Sequence, residues 1–487
     1  MRNLFFTEKA YNTAPMLFKI SIENFGKITQ ADIRIGDFTV FAGKNSTGKS
    51  YVSKAMYSLF RAMKTNHLAV VLNPYLLSLN RALSSLNWAF DEDEDEDEKM
   101  DLEGLRSELA DMDHATRGLQ DIVRRVAARD DVDEFDAIKE ELSSIRIFLD
   151  TIEKAIPRLE EEVALVEGHP SMVFSDTRAI AREIDDVEEF LSELARIKNF
   201  DAEEFVKEGI RHEIKKNFLG NFQVPHMSYL LRKADLPACF NVEKFGVNVK
   251  IGEDINWTTQ ENGLALFMRQ CSAVRYLESP IFWRLKDALD NIKIESNSPR
   301  ITGIPEYFYD LSGALRAPYP GESAFPEILE KLTGDNVLKG RVGMGETGDL
   351  FFQGKKERKH PLRLAATGIA NLGILALLIE KNLMNKNTFL FIDEPEAHLH
   401  PAWQVEMAAA LFALSQKGVK VVIATHSADI LKWLEVEVNT PELQKTVALN
   451  HFINGTVRAN DAQFDEKLSI IQKDLAEPYY KLYYKGL

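Results

Sequence analysis

Residues 43–50 read Gly43-Lys44-Asn45-Ser46-Thr47-Gly48-Lys49-Ser50, a complete G-x-x-x-x-G-K-[ST] loop. Phe38, Val40 and Ala42 alternate into it as a strand does, and Val52, Ala55, Met56, Leu59 and Phe60 leave it on one face of a helix. A strand, a glycine loop and a helix in that order require an α/β core. They also leave successive backbone N–H groups at a helix N-terminus, where an anion is favoured. Far along the chain, Phe389-Leu390-Phe391-Ile392-Asp393-Glu394-Pro395 ends an apolar strand in two acids. Two carboxylates at the mouth of such a strand are costly to desolvate unless they meet a cation. The pair of motifs therefore predicts a nucleoside triphosphatase using ATP and Mg²⁺. Gly43, Lys44, Asn45, Ser46, Thr47, Gly48, Lys49, Ser50 and Tyr51 are expected at the nucleotide. Within that group, Lys49 is expected on the β/γ-phosphates and the Ser50 hydroxyl on the metal. Asp393 should share the metal, and Glu394 should polarise the attacking water.

The stretch before the loop reads as short half-buried strands, with Phe18, Ile20 and Ile22 and then Ile33 and Ile35 alternating. The middle of the chain is different. Phe135, Ile138, Leu142, Ile145, Leu149, Ile152, Ile156, Leu159, Val163 and Val166 recur at spacings of three and four, a sustained heptad seam. Leu102, Leu105, Leu109 and Met112 begin a similar pattern upstream, and Ile180, Ile184, Val187, Leu191 and Leu194 continue one downstream. Gly168-His169-Pro170 breaks the chain between the second and third helices, and Pro157 is expected to kink the second. The pattern fits either an antiparallel helical arm or a three-helix bundle. Strand signals return in 245–251 and 273–277, and the mostly apolar runs 388–392 and 419–424 suit central parallel strands, with helices over 369–379 and 403–414 as cover. The expected divisions are 1–85 for the first part of the nucleotide head, 86–215 for an acidic linker and helical insertion, and 216–487 for the rest.

The net charge of −16 argues against a surface that binds nucleic acid throughout, while leaving room for a local basic patch. Part of that charge is the run of acids 91–98, which suits a solvated linker or an acidic tether. Two cysteines, Cys239 and Cys271, cannot build a disulfide framework and suit a reducing cytoplasm. No apolar run approaches the ~20 residues of a bilayer span, so no membrane role is expected. Lys355-Lys356-Glu357-Arg358-Lys359-His360 is the best basic run, read as a solvated hairpin tip or a phosphate-backbone contact.

"FIDEPEAHLHP" followed by "VVIATHS" resembles the ABC-type AAA ATPases of the SMC/RecF/OLD group, and more narrowly the ATPase subunits of bacterial anti-phage systems of the PARIS and Septu type. The resemblance implies an ABC-type head: antiparallel N-terminal strands plus a parallel core sheet with flanking helices, interrupted by a coiled-coil-like insertion. It implies a D-loop carrying Glu396, His398, His400 and Pro401, and His426 as the switch residue that senses the γ-phosphate. It puts the signature at 364–370, with Ala366, Thr367 and Gly368 facing the nucleotide of a second head in a homo-oligomer. For the Q-loop glutamine, Gln223 and Gln270 are the candidates. The short stretch after His426 leads us to expect no TOPRIM nuclease in this chain, and a separate effector, a nuclease or toxin, is implied instead. A RecF-like ATPase acting on DNA and a nucleotide-locked scaffold with little turnover are the alternatives.

Overall fold

A computed structural model of the chain describes residues 18–91, 103–127, 134–167, 197–260, 262–278, 280–286, 289, 303–317, 321–457 and 463–485. It divides into two compact units, residues 65–213 and the remainder. The helical unit thus begins at Thr65 rather than at 86, because the helix His67–Asp91 belongs to it.

In the head, the parallel core sheet runs Val447–His451, Phe38–Ala42, Lys420–Thr425, Thr388–Asp393, Ala273–Leu277. Every residue of Phe38–Ala42 and of Thr388–Asp393 is buried, which is why these strands read as continuous apolar runs rather than alternating ones. Helix Lys49–Lys64 brings Phe60 against Phe389 and Phe267, with ring centroids 5.1 and 5.2 Å away. Helix Pro401–Gln416 places Phe412 5.4 Å from Phe38. Edge-to-face aromatic pairs of this kind fix the helices on the sheet more specifically than burial alone.

A second sheet of six strands runs Thr456–Val457, Ile28–Ile35, Phe18–Phe25, Ala238–Val242, Val247–Ile251, Ile255–Thr258, antiparallel except for its first pair. Phe18, Ile20 and Ile22 face its core, and the alternation slips at Asn24 (φ 53°) so that Phe25 is buried as well. A small antiparallel sheet, His360–Pro361, Leu350–Gly354 and Gly340–Met344, carries the basic run at its exposed tip. There Lys355 pairs with Asp335 and Lys359 lies 4.4 Å over the Phe351 ring. The expected architecture is therefore present: antiparallel N-terminal strands and a parallel core sheet with flanking helices, interrupted in sequence by a helical insertion.

Within the helical unit, Glu103–Ala127 and Glu134–Glu167 pack antiparallel, as the crossed ion pairs Arg125–Glu141 and Arg158–Glu108 require. Leu109, Met112, Leu119 and Ile122 from one helix and Ile138, Ile145, Leu149 and Ile152 from the other are buried, which is the heptad seam. Leu142 of that seam is only half-buried. The second helix runs on through Pro157, which is exposed, so its lost backbone hydrogen bond lies on the solvent side. The acids 92–98, Leu102 and the whole of 168–194, including the third helical pattern, lie outside the described residues. Among the described residues no helix is long and apolar enough to cross a membrane.

Candidate functional site

Parallel strands of an open α/β sheet end on one edge, and site residues collect there. At that edge Phe38–Ala42 opens into the phosphate loop, which passes directly into helix Lys49–Lys64. Two glycines are obligatory. A Cβ on Gly43 (φ 153°) would stand 2.4 Å from the Phe452 carbonyl oxygen, and one on Gly48 (φ 106°) 2.5 Å from Ile28 Cδ1. The first turn of the helix contains no acid of its own, which leaves its N-terminus attractive to an anion. Lys49 is buried and donates to the carbonyls of Gly43 (2.7 Å) and Lys44 (2.8 Å). Burial lowers its pKa, opposed by the charges of Asp393, Glu394 and Glu396. Thr47 Oγ1 closes the turn on the Lys44 carbonyl at 2.9 Å. Asn45 and Ser46 are exposed, and Ser46 holds φ 65°. Tyr51 packs its ring against Phe25 and Phe222, at 6.2 and 5.5 Å, so its side chain serves the second sheet.

The two motifs meet at Ser50, whose Oγ donates to Asp393 Oδ1 at 3.0 Å. Asp393 is buried at the end of its strand, and its carboxyl is pushed up to about 7, first by desolvation and then by the charge of Glu278, against the Ser50 hydrogen bond and Lys54. Glu394 follows in the left-handed region (φ 51°), with its N–H on the Ala424 carbonyl at 2.8 Å and its side chain exposed. A non-glycine residue held there is strained, and such strain collects at functional sites. His426 Nδ1 lies 3.5 Å from Glu394 Oε1 and 3.4 Å from Glu396 Oε1. The glycine loop, the acid pair and His426 therefore lie together at this edge.

The D-loop residues behave less uniformly. Glu396 is buried and turned inward, accepting from Thr425 Oγ1 (2.7 Å) and the His426 N–H (2.9 Å). His398, at the end of the turn 395–398, holds φ 62°. His400 caps the following helix by accepting from the Ala402 N–H. No cluster of three potential metal ligands occurs among the described residues. At the expected signature, Ala366 caps helix Thr367–Glu380. Thr367 Oγ1 accepts from Arg284 Nη1 at 3.2 Å, while Arg284 Nη2 donates to the Arg363 carbonyl at 2.7 Å. A Cβ on Gly368 would stand 2.9 Å from the His398 carbonyl, so glycine is what lets helix Thr367–Glu380 approach the turn at His398.

Of the two glutamines nominated for the Q-loop, Gln270 ends the helix Gly263–Gln270 ahead of strand Ala273–Leu277, hence at the opposite end of the sheet. Gln223 is engaged with the Gly220 carbonyl and the Gly303 N–H, and its neighbour Phe222 packs against Tyr51. Glu278 stands at the site edge, one residue beyond the Leu277–Ile392 pair and so opposite Asp393. Lys54 Nζ lies 2.9 Å from its Oε1, and Tyr307 donates its hydroxyl to Oε2. The signal that could have found Glu278 is its place at the C-terminal end of a parallel strand. Lys54 and Tyr307 carry no such signal.

The donor set suits a hard cation and a polyphosphate. A buried carboxylate held by one hydroxyl, with a second acid across the strand, is a costly arrangement that a divalent ion would relieve. Ser50 and Asp393 would hold Mg²⁺, and the backbone of 43–49 would hold the phosphates.

Residues 16–431 match the family described as AAA ATPase domain. Over 65 residues the chain is 42% identical to the Old nuclease of Escherichia phage P2, a match spanning 13% of this chain and 11% of that protein. Among solved structures it is similar to the Smc head domain with an extended coiled coil from Pyrococcus furiosus, at 14% identity and a TM-score of 0.30, covering 94% of this chain and 99% of that one. It is also similar to the SMC head domain from Thermotoga maritima, at 10% identity and a TM-score of 0.34, covering 92% and 99%. The family match takes in both motifs, the helical insertion and His426, and on it the chain belongs to the AAA ATPase domain family.

Proposed function

We propose that the chain is a Mg²⁺-dependent ATPase that serves as sensor and scaffold of an anti-phage defence system, holding or activating a separate effector. The observation that carries the ATPase reading is the Ser50–Asp393 contact, with Glu394 and His426 beside it. When bound, Mg²⁺ would neutralise developing charge on the phosphates. Lys49 lies along the same loop to balance the phosphate charge. Glu394 is exposed and free to orient a water, and His426 stands beside it to sense the terminal phosphate.

The defence role rests on the resemblance of "FIDEPEAHLHP" and "VVIATHS" to ATPase subunits of such systems. The local likeness to Old nuclease is compatible with it. On this reading two heads pair around nucleotide, with Thr367 and Gly368 of one reaching the γ-phosphate held by the other. The helical unit 65–213 would carry the closure to the effector. The net charge of −16 favours a protein trigger over DNA.

Two assays test the proposal. Light scattering of Glu394→Gln should give a dimer with ATP and Mg²⁺, and a monomer under those conditions contradicts the paired heads. Phage plating on cells carrying the chain and its neighbouring genes should show protection that is lost with Lys49→Ala. Protection unchanged by that substitution contradicts a nucleotide-driven defence role.

A further inference from the structure

The phosphate loop carries two lysines, and the structure uses them differently. Lys49 lies buried along the loop's own carbonyls. Lys44 is part-exposed and is taken by the helix Phe464–Lys485: its Nζ stands 2.8 Å from Asp474 Oδ1 and 2.5 Å from Glu477 Oε2. The two acids are three residues apart and so share one face of the helix. The second oxygen of Asp474 lies 3.1 Å from His451 Nε2. His451 pairs with Ala42, the last strand residue before the loop, and the next N–H, that of Phe452, donates to the Ala42 carbonyl at 2.8 Å. Leu468 and Ile471, each 1% exposed, pin the helix from within. The acids are thus fixed relative to the start of the loop.

All three charged side chains are partly exposed, so these ion pairs add little to folding stability. Their effect is on charge. Two carboxylates on one ammonium leave a net negative group at the entrance of a loop built for a polyanion, and they occupy the loop's second cation. An incoming triphosphate must compete with them for Lys44.

We propose that Asp474 and Glu477 are an inhibitory latch on the phosphate loop: they hold the Lys44 ammonium until a triphosphate takes it over. This rests on the nucleotide-binding reading above. It gives any protein that grips the helix Phe464–Lys485 control over nucleotide affinity.

The test is equilibrium binding of a fluorescent ATP analogue with Mg²⁺ to the full chain at low salt. We expect Asp474→Asn/Glu477→Gln to bind roughly three- to tenfold more tightly than wild type. Adding Lys44→Met to that variant should erase the gain. A merely structural role for the acids would not raise affinity, so equal or weaker binding by the double variant overturns the latch. No binding by wild type or variant overturns the nucleotide reading itself, whereas binding by the variant alone is the latch at its strongest.

Discussion

Ser50 Oγ donates to Asp393 Oδ1 at 3.0 Å, joining the first turn of the loop helix to a strand end 343 residues further along the chain. The hydroxyl, together with the charge of Lys54, partly offsets the burial of Asp393, and Ser50 and Asp393 are the two side chains that would hold a metal. Ser50→Ala should therefore raise the Mg²⁺ concentration needed for half-maximal turnover by about tenfold or more, as loss of one coordinating or orienting group does. A Mg²⁺ titration of turnover checks this.

Asp393 makes the folded head pH-sensitive. Its carboxyl titrates at about 7 in the fold against 3.8 in the unfolded chain. Between those values the folded state binds the extra proton, so this group's stabilising contribution is complete below about 4 and is lost as pH rises through 7. The slope is at most about 1.4 kcal/mol per pH unit. Without metal, Asp393→Asn should melt close to wild type near pH 4 and clearly above it at pH 8. Parallel melting curves at both pH values would contradict the assignment.

Glu278 is part of that shift, since its charge raises the Asp393 pKa while Lys54 lowers it. Glu278→Gln removes the first and frees the second, and both changes favour the ionised Asp393. The acid limb of the pH–rate profile should move to lower pH, while the alkaline side stays in place. A shift to higher pH would contradict the opposition of these two strand ends.

The close approach at Gly368 is a packing prediction. Alanine there would put its Cβ 2.9 Å from the His398 carbonyl. Either the turn at His398 or helix Thr367–Glu380 must then move, at a cost of about 1–3 kcal/mol. Urea unfolding should show that loss, together with reduced turnover.

The edge with the candidate site was legible because its motifs carry their own local context: a strand before the loop, a helix after it, and an apolar run ending at Asp393 and Glu394. The helical seam was legible from its period, although the start of the helical unit was not, because the helix His67–Asp91 follows the loop helix almost without interruption. What stayed hidden depends on pairing between distant segments. Glu278 meets Asp393 only through the parallel register of two strands. Glu396 turns inward because Thr425 and His426 offer it donors. Lys44 meets Asp474 and Glu477 across some 430 residues. No local pattern announces such contacts.

The central claim is that these segments form one Mg·ATP-hydrolysing site, and the most direct measurement is ATP turnover by wild type and Glu394→Gln, with nucleotide binding measured alongside. The account predicts Mg²⁺-dependent turnover by wild type. It predicts a fall of about 10²–10⁴-fold in kcat for Glu394→Gln with ATP still bound. Turnover by Glu394→Gln equal to that of wild type, or ATP left unbound by both, would contradict it.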